Sequence, residues 1–194
     1  MDSFTATIRQ YSSMSEEDAT YFRSFFREKA YPKNTLLLEE GQTAHEVFFV
    51  VRGAMHQYFH TENGTEKTCN FAFEQTFLTD LESFSRQTRS SSNIRTLEPT
   101  TCLVTTCVEL VQCLAELPPA GQFFNQVVEE IATRNIRRIQ SFMAQSTEQQ
   151  LKSLTKEYPG IMQRVPQRYI AQYLGIAPES LSRIRKRMLQ ERKS

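Results

Sequence analysis

The chain has 194 residues, with Lys and Arg numbering 23, Asp and Glu 22, and hydrophobic residues making up 39%. This leaves room for one or two domains with buried cores, in the range of ordinary folded proteins. Apolar runs reach only a handful of residues, such as Val47 to Val51, which excludes a membrane-spanning helix. Met1-Asp2-Ser3-Phe4 has no basic region leading into an apolar stretch, so no secretory signal is read and the cytoplasm is the expected compartment.

Charge is unevenly spread. From Ile161 onward eight basic residues face only Glu179 and Glu191, a net of +6, while fifteen basic and twenty acidic residues leave the remainder at −5. A basic tail on an acidic body suits a polyanion-binding module, although a solvated charged helix gives the same count. Cys69, Cys102, Cys107 and Cys113 form no Cys-x-x-Cys pair and have no His at zinc-ligand spacing. They read as buried, reduced thiols and no metal site is expected.

Along the chain, Ser15-Glu16-Glu17-Asp18 reads as an N-cap with an acidic first turn, and Tyr21, Phe22, Phe25 and Phe26 form a helical stripe. A short helix is predicted to about Glu28, broken by Tyr31-Pro32. From Thr35 to about Cys113 come short β-prone runs: Leu36 to Leu38, Val47 to Val51, Met55 to Phe59, Thr68 to Phe73, Ile94 to Leu97 and Cys102 to Thr106. Turn signals separate them, among them Arg52-Gly53 and Asn63-Gly64, the latter suited to a hairpin whose two residues take positive φ. Many short strands with regular turns imply a small sandwich or barrel.

After Pro118-Pro119 a helical pattern runs to roughly Gln145. Phe124, Val128, Ile131, Asn135, Arg138 or Ile139, and Phe142 recur in steps of four and three, a seam suited to a partner helix and hence a homodimer. Another helix is predicted from Thr147 to Tyr158, then two more separated by Gly175. In Val165 to Met188, Ile170, Leu174, Ile176, Leu181 and Ile184 are placed to face inward from two helices crossing around a tight turn. Ala171 is small at their closest approach, and Gly175 supplies the left-handed turn residue. That set predicts a helix-turn-helix. Its second helix turns Glu179, Ser180, Ser182 and Arg183 outward as candidate base readers, with Arg183 suited to guanine and Glu179 to cytosine. Arg185, Lys186 and Arg187, with Gln167 and Arg168 on the first helix, are candidate contacts to the DNA backbone.

A β-roll, a long helix and a C-terminal helix-turn-helix in this order resemble the Crp/Fnr family of bacterial transcription regulators, over nearly the whole chain. The matching stretches are Leu36 to Gly41, Val47 to Gly53, Phe77 to Glu98 and Val165 to Lys186. Asp80-Leu81-Glu82-Ser83-Phe84 and Arg164-Val165-Pro166-Gln167 look closest to a Bacteroidetes-type branch. The resemblance implies an effector in a β-roll, dimerisation through the long helix, and base reading by Glu179 and Arg183. Family members that bind cyclic AMP carry Gly-Glu and Arg-Ser pairs, whereas Thr79-Asp80 and Ser90-Ser91 stand there in this chain. Ser90 cannot replace a guanidinium fork on a phosphate, and Arg89 is one residue off, on the other face of a strand. Cyclic AMP is therefore not the expected effector, and an unidentified small molecule at Thr79, Asp80, Ser90 and Ser91 is the alternative.

The expected architecture is α+β: a cyclic-nucleotide-binding-like β-roll of the double-stranded jelly-roll type with its N-terminal helix (1–118), a dimerisation helix (119–146), and a helix-turn-helix domain lacking a full wing (147–194). Its expected partners are double-stranded DNA, a second copy and, as a candidate, RNA polymerase; no membrane and no cofactor are expected. An enzyme is disfavoured, because His56 and His60 lack the His-x-His pattern of a cupin-type site and no catalytic motif appears. A β-roll sensing or interaction module whose helix-turn-helix no longer binds DNA remains the rival.

Overall fold

The computed structural model describes residues 3–191. Two helices open the chain, α1 (Ser3–Tyr11) and α2 (Glu16–Ser24), the second capped by Ser15 Oγ, which accepts from Asp18 N at 3.1 Å. The helix expected to reach Glu28 stops four residues earlier. Arg27–Tyr31 instead forms strand β1, paired residue for residue with a strand near the end of the β-roll (Thr100–Thr106). Pairing along β8 gives alternate residues of this edge strand backbone partners, which outweighs a local helical preference.

The remaining strands are β2 (Leu36–Leu38), β3 (Glu46–Arg52), β4 (Met55–His60), β5 (Glu66–Ala72), β6 (Phe77–Leu78), β7 (Asn93–Thr96) and β8 (Thr100–Thr106), with helix α3 (Leu81–Arg86) between β6 and β7. They make two four-stranded antiparallel sheets, ordered β1-β8-β3-β6 and β2-β7-β4-β5. The β4–β5 turn is a five-residue loop in which only Gly64 takes positive φ, so the tight Asn63-Gly64 hairpin is not what forms. The apolar run Val47 to Val50 is buried because the β3 sheet is covered on both faces. The second sheet lies on one side; an aromatic cluster lies on the other, with Phe4 5.0 Å from Phe49 and Phe123 6.1 Å from Phe77.

Helix α4 (Cys107–Glu116) occupies the end of the stretch expected to be β-rich. Its capping box joins Thr106 and Glu109: Glu109 N donates to Thr106 Oγ1 at 3.2 Å, and Thr106 N donates to Glu109 Oε2 at 3.0 Å. The long helix α5 (Pro118–Ala144) follows, then α6 (Thr147–Glu157), the one-turn α7 (Ile161–Arg164), α8 (Gln167–Tyr173) and α9 (Pro178–Glu191). Among the described residues no helix is long and apolar enough to cross a membrane. Burial pushes the Cys102 thiol up to about 12 and Cys113 to about 11, so neither carries a thiolate at neutral pH.

The C-terminal helices do not form a core of their own. Leu151, Leu154, Ile161, Ile170, Leu174 and Leu181 are buried in one cluster with Ala54, Phe71, Phe73 and Leu97 of the β-roll. Apolar area on the outer face of the β4–β5 sheet is thus covered by the module that follows α5.

Candidate nucleic-acid interface

Pro166 stands at the N-cap position of α8 without a side-chain cap, and the helix ends in a Schellman turn: Gly175 sits at φ +68°, its N–H bonds Gln172 O at 3.1 Å, and Ile176 N–H reaches Ala171 O at 3.0 Å. The chain then turns straight into α9. Ile170, Ala171, Leu174 and Leu181 are buried where the two helices cross, with Ile176 and Ile184 half-buried beside them. The inward set is the one the spacing predicts.

On the outer face of α9, Glu179, Ser182, Arg183, Lys186 and Arg187 are exposed, and Ser180 is half-buried. Arg183 Nη2 lies 3.1 Å from Ser180 Oγ, a bond that steadies the guanidinium near the helix N-terminus. Three of the five candidate backbone contacts are less free. Arg187 pairs with Glu148 on α6, and Arg185 is half-buried beside a groove between α6, α7 and α9. Arg168 turns to Tyr169, 2.6 Å from its hydroxyl and 4.5 Å over its ring. Gln167 is exposed at the opening of α8, and Lys186 is exposed among the readers. Arg192 and Lys193, and any wing beyond α9, fall outside the described residues.

The predicted effector residues are brought together, with an addition. Asp80 caps α3 through Oδ1 to Ser83 N at 3.2 Å, while its Oδ2 lies 2.6 Å from Ser90 Oγ and 2.9 Å from Ser92 Oγ. Ser90 and Ser92 are buried; Ser91 points to solvent, and Thr79 donates to Glu46 O at 2.9 Å. The Ser90-Ser91 pair does not point to Ser92; the chain bends at Ser91-Ser92, where Ser92 N donates to Ser90 Oγ at 3.0 Å, and this turns both buried hydroxyls onto Asp80. Arg89 is exposed in an isolated bridge to Thr43, off this cluster. A separate groove of about 540 Å³ opens between the β4–β5 hairpin and α5, lined in part by Gln57, Cys69, Asn135, Arg138 and Phe142.

The predicted seam on α5 divides. Phe124 and Ile131 pack on the chain's own core, Val128 is half-buried, and Asn135 is exposed. Phe142 sits under Arg138, whose guanidinium is 5.3 Å from its ring and 3.9 Å from that of Tyr173. Besides Phe142, itself 42% exposed, the apolar side chains of this helix that face outward are Ile136, Ile139 and Met143, 57%, 60% and 83% exposed. They too follow a three-four step, which the sequence displayed alongside the other.

His56, weighed as a metal ligand, is buried between Tyr58 at 4.8 Å and Tyr169 at 4.4 Å, with Nδ1 3.3 Å from Thr68 Oγ1. Burial, with Arg95 and Arg168 nearby, pushes its pKa down to about 3, so it is neutral. His60 is exposed beside Glu40. Among the described residues no group of three His, Cys, Asp or Glu side chains is placed to hold a metal ion.

Residues 28–116, from β1 through α4, match the family model described as the cyclic nucleotide-binding domain. The β-roll has that domain's fold. No curated protein matches the chain. Among solved structures, the c-di-GMP responsive global regulator CLP of Xanthomonas campestris is 14% identical, with a TM-score of 0.70 over 91% of this chain and 93% of that one. FixK2 from Bradyrhizobium japonicum is 15% identical, with a TM-score of 0.72 over 86% and 85%. A putative transcriptional regulator of the Crp/Fnr family from Eubacterium rectale is 16% identical, with a TM-score of 0.69 over 92% and 85%. The shared fold therefore runs past the cyclic nucleotide-binding domain into the C-terminal helices.

Proposed function

We propose that this chain is a homodimeric, sequence-specific DNA-binding transcription regulator of the Crp/Fnr type, of the Bacteroidetes-type branch, working in the cytoplasm and not answering to cyclic AMP. The observation that carries the reading is the outward face of α9, where Glu179, Ser182, Arg183 and Lys186 project from a helix whose other side is buried in a helix-turn-helix. Bidentate Arg183 would read guanine and Glu179 would accept from cytosine, with Ser180 and Ser182 beside them. Lys186 is the strongest candidate for a phosphate. The β-roll and the likeness to regulator structures favour this over an enzyme.

The working units are the sensor (1–118), the dimer helix (119–146) and the DNA-binding domain (147–194). Two copies would join through the outward apolar side of α5, Ile136, Ile139 and Met143 with Val128, and set two recognition helices about one helical turn of DNA apart. RNA polymerase is a further candidate partner. One of the similar structures is named for its response to c-di-GMP; here the effector would be a small molecule reaching Thr79, Asp80 and Ser90. It would have to take Asp80 from its own serines, and no guanidinium stands in that cluster to hold a cyclic phosphate.

Selection from a randomised duplex pool, followed by sequencing of the bound fraction, tests the reading. A pseudo-palindrome with half-sites about one turn apart is expected. Weak binding without sequence preference would instead support an interaction module with an inert helix-turn-helix. Calorimetric titration with cyclic AMP is expected to show no micromolar binding, and a micromolar isotherm would overturn that part.

A further inference from the structure

The C-terminal module is docked along the β-roll rather than tethered to it by α5 alone. Thr68 Oγ1 on β5 lies 2.9 Å from Gln172 Oε1 on α8, the Phe71 and Tyr173 rings are 5.1 Å apart, and those of Phe73 and Tyr158 4.8 Å. Ring contacts of this kind hold two bodies together while tolerating small slides and rotations. One contact does not. At the end of α7, Arg164 donates through Nη1 to Glu74 Oε2 at 2.8 Å and through Nη2 to Glu74 Oε1 at 2.7 Å, a two-pronged pair. Its Nε and Nη2 also reach Glu98 Oε1 at 3.1 and 2.5 Å, and Nη2 reaches Gly53 O at 3.0 Å.

A planar guanidinium meets that set of acceptors in one orientation only. The acceptors are themselves fixed, since Gly53 N donates to Glu74 Oε1 at 2.9 Å. Arg164 stands three residues before the first residue of α8, so its angle is passed directly to the helix-turn-helix.

We propose that Arg164 is a positioning residue: it latches the helix-turn-helix onto the base of the β-roll and so fixes the direction in which α9 points. The reading face of α9 stays exposed in the docked arrangement, so the latch governs aim and not access. In a dimer, the aim of the two modules decides which half-site spacing both can reach at once. This rests on the DNA-binding reading above.

Two kinds of variant separate the latch from a local role. Arg164→Gln removes the fork, and the double variant Glu74→Ala, Glu98→Ala removes its side-chain acceptors from the β-roll without altering the C-terminal module. Hydrogen exchange is followed over residues 167–173, and binding is measured to the selected duplex with the half-sites moved one or two base pairs apart or together. Both variants are expected to speed exchange in α8 by about tenfold or more and to lose about tenfold of the spacing discrimination, with the affinity for a single half-site kept within about threefold. Retained spacing discrimination in Arg164→Gln would overturn the proposal. So would faster exchange in Arg164→Gln alone, because Arg164 would then act within its own module. If the wild type selects no sequence, the DNA-binding reading fails, and the exchange measurement alone decides whether the module is latched.

Discussion

At Gly53 the backbone takes φ +108°, and a Cβ there would stand 2.6 Å from Thr100 Oγ1 and 2.7 Å from Thr100 Cα. Conformation and close approach both require glycine, and the same residue gives its N–H to Glu74 and its carbonyl to Arg164. Gly53→Ala is expected to lower stability by on the order of 1–3 kcal/mol, read as a lower urea midpoint; an unchanged midpoint would contradict the account. His56 carries a pH dependence. Folding holds its pKa near 3, against an ordinary value of 6.5, so the unfolded chain binds a proton that the folded chain excludes. The stability His56 contributes is complete above about pH 6.5 and is lost as pH falls from there towards 3. The Glu74 carboxyl, raised by burial but brought down further by Arg164 and the Gly53 N–H, is held below its ordinary value. Stability measured between pH 7 and 5 should therefore fall in the wild type and stay flatter in His56→Gln, and parallel curves would exclude this assignment.

The elements differ in how legible they were. The pairing of α8 with α9 is legible because it is local: Ile170, Leu174, Leu181 and the left-handed Gly175 lie within a dozen residues. The middle strands were equally readable from their turn residues. Strand β1 was not, because Arg27–Tyr31 becomes a strand only by pairing with β8, more than seventy positions along. Helix α4 had a local signal in Thr106 and Glu109 that was hidden by the β-prone residues before it. On α5 two apolar seams interleave, and a periodicity cannot say which one meets the chain's own core. The structure turns Phe124 and Ile131 inward and leaves Ile136, Ile139 and Met143 outside. Ile136→Glu with Ile139→Glu should weaken the dimer by about tenfold or more, as charges enter an apolar contact, while leaving the thermal midpoint of the monomer unchanged. Sedimentation that shows the same dimer would move the interface elsewhere.

In the whole molecule, the β-roll and the C-terminal helices share one buried cluster, in which Phe71, Phe73 and Leu97 of the β-roll meet Leu151, Ile170 and Leu181. No period or motif announces such a contact, since its two halves lie some eighty residues apart and each reads as the core of its own domain. Its consequence is that a change at β5 reaches α8 without crossing a flexible linker. At the centre of the proposed function, α9 reads base sequence. The most direct test measures anisotropy binding of the wild type, Arg183→Ala and Lys186→Ala to the selected duplex and to duplexes changed at single positions. Arg183→Ala should lose about 1–3 kcal/mol and cease to discriminate at one position of each half-site, while Lys186→Ala should weaken all sequences alike and lower the salt slope by about one. Equal binding of all three proteins to every duplex would contradict the account.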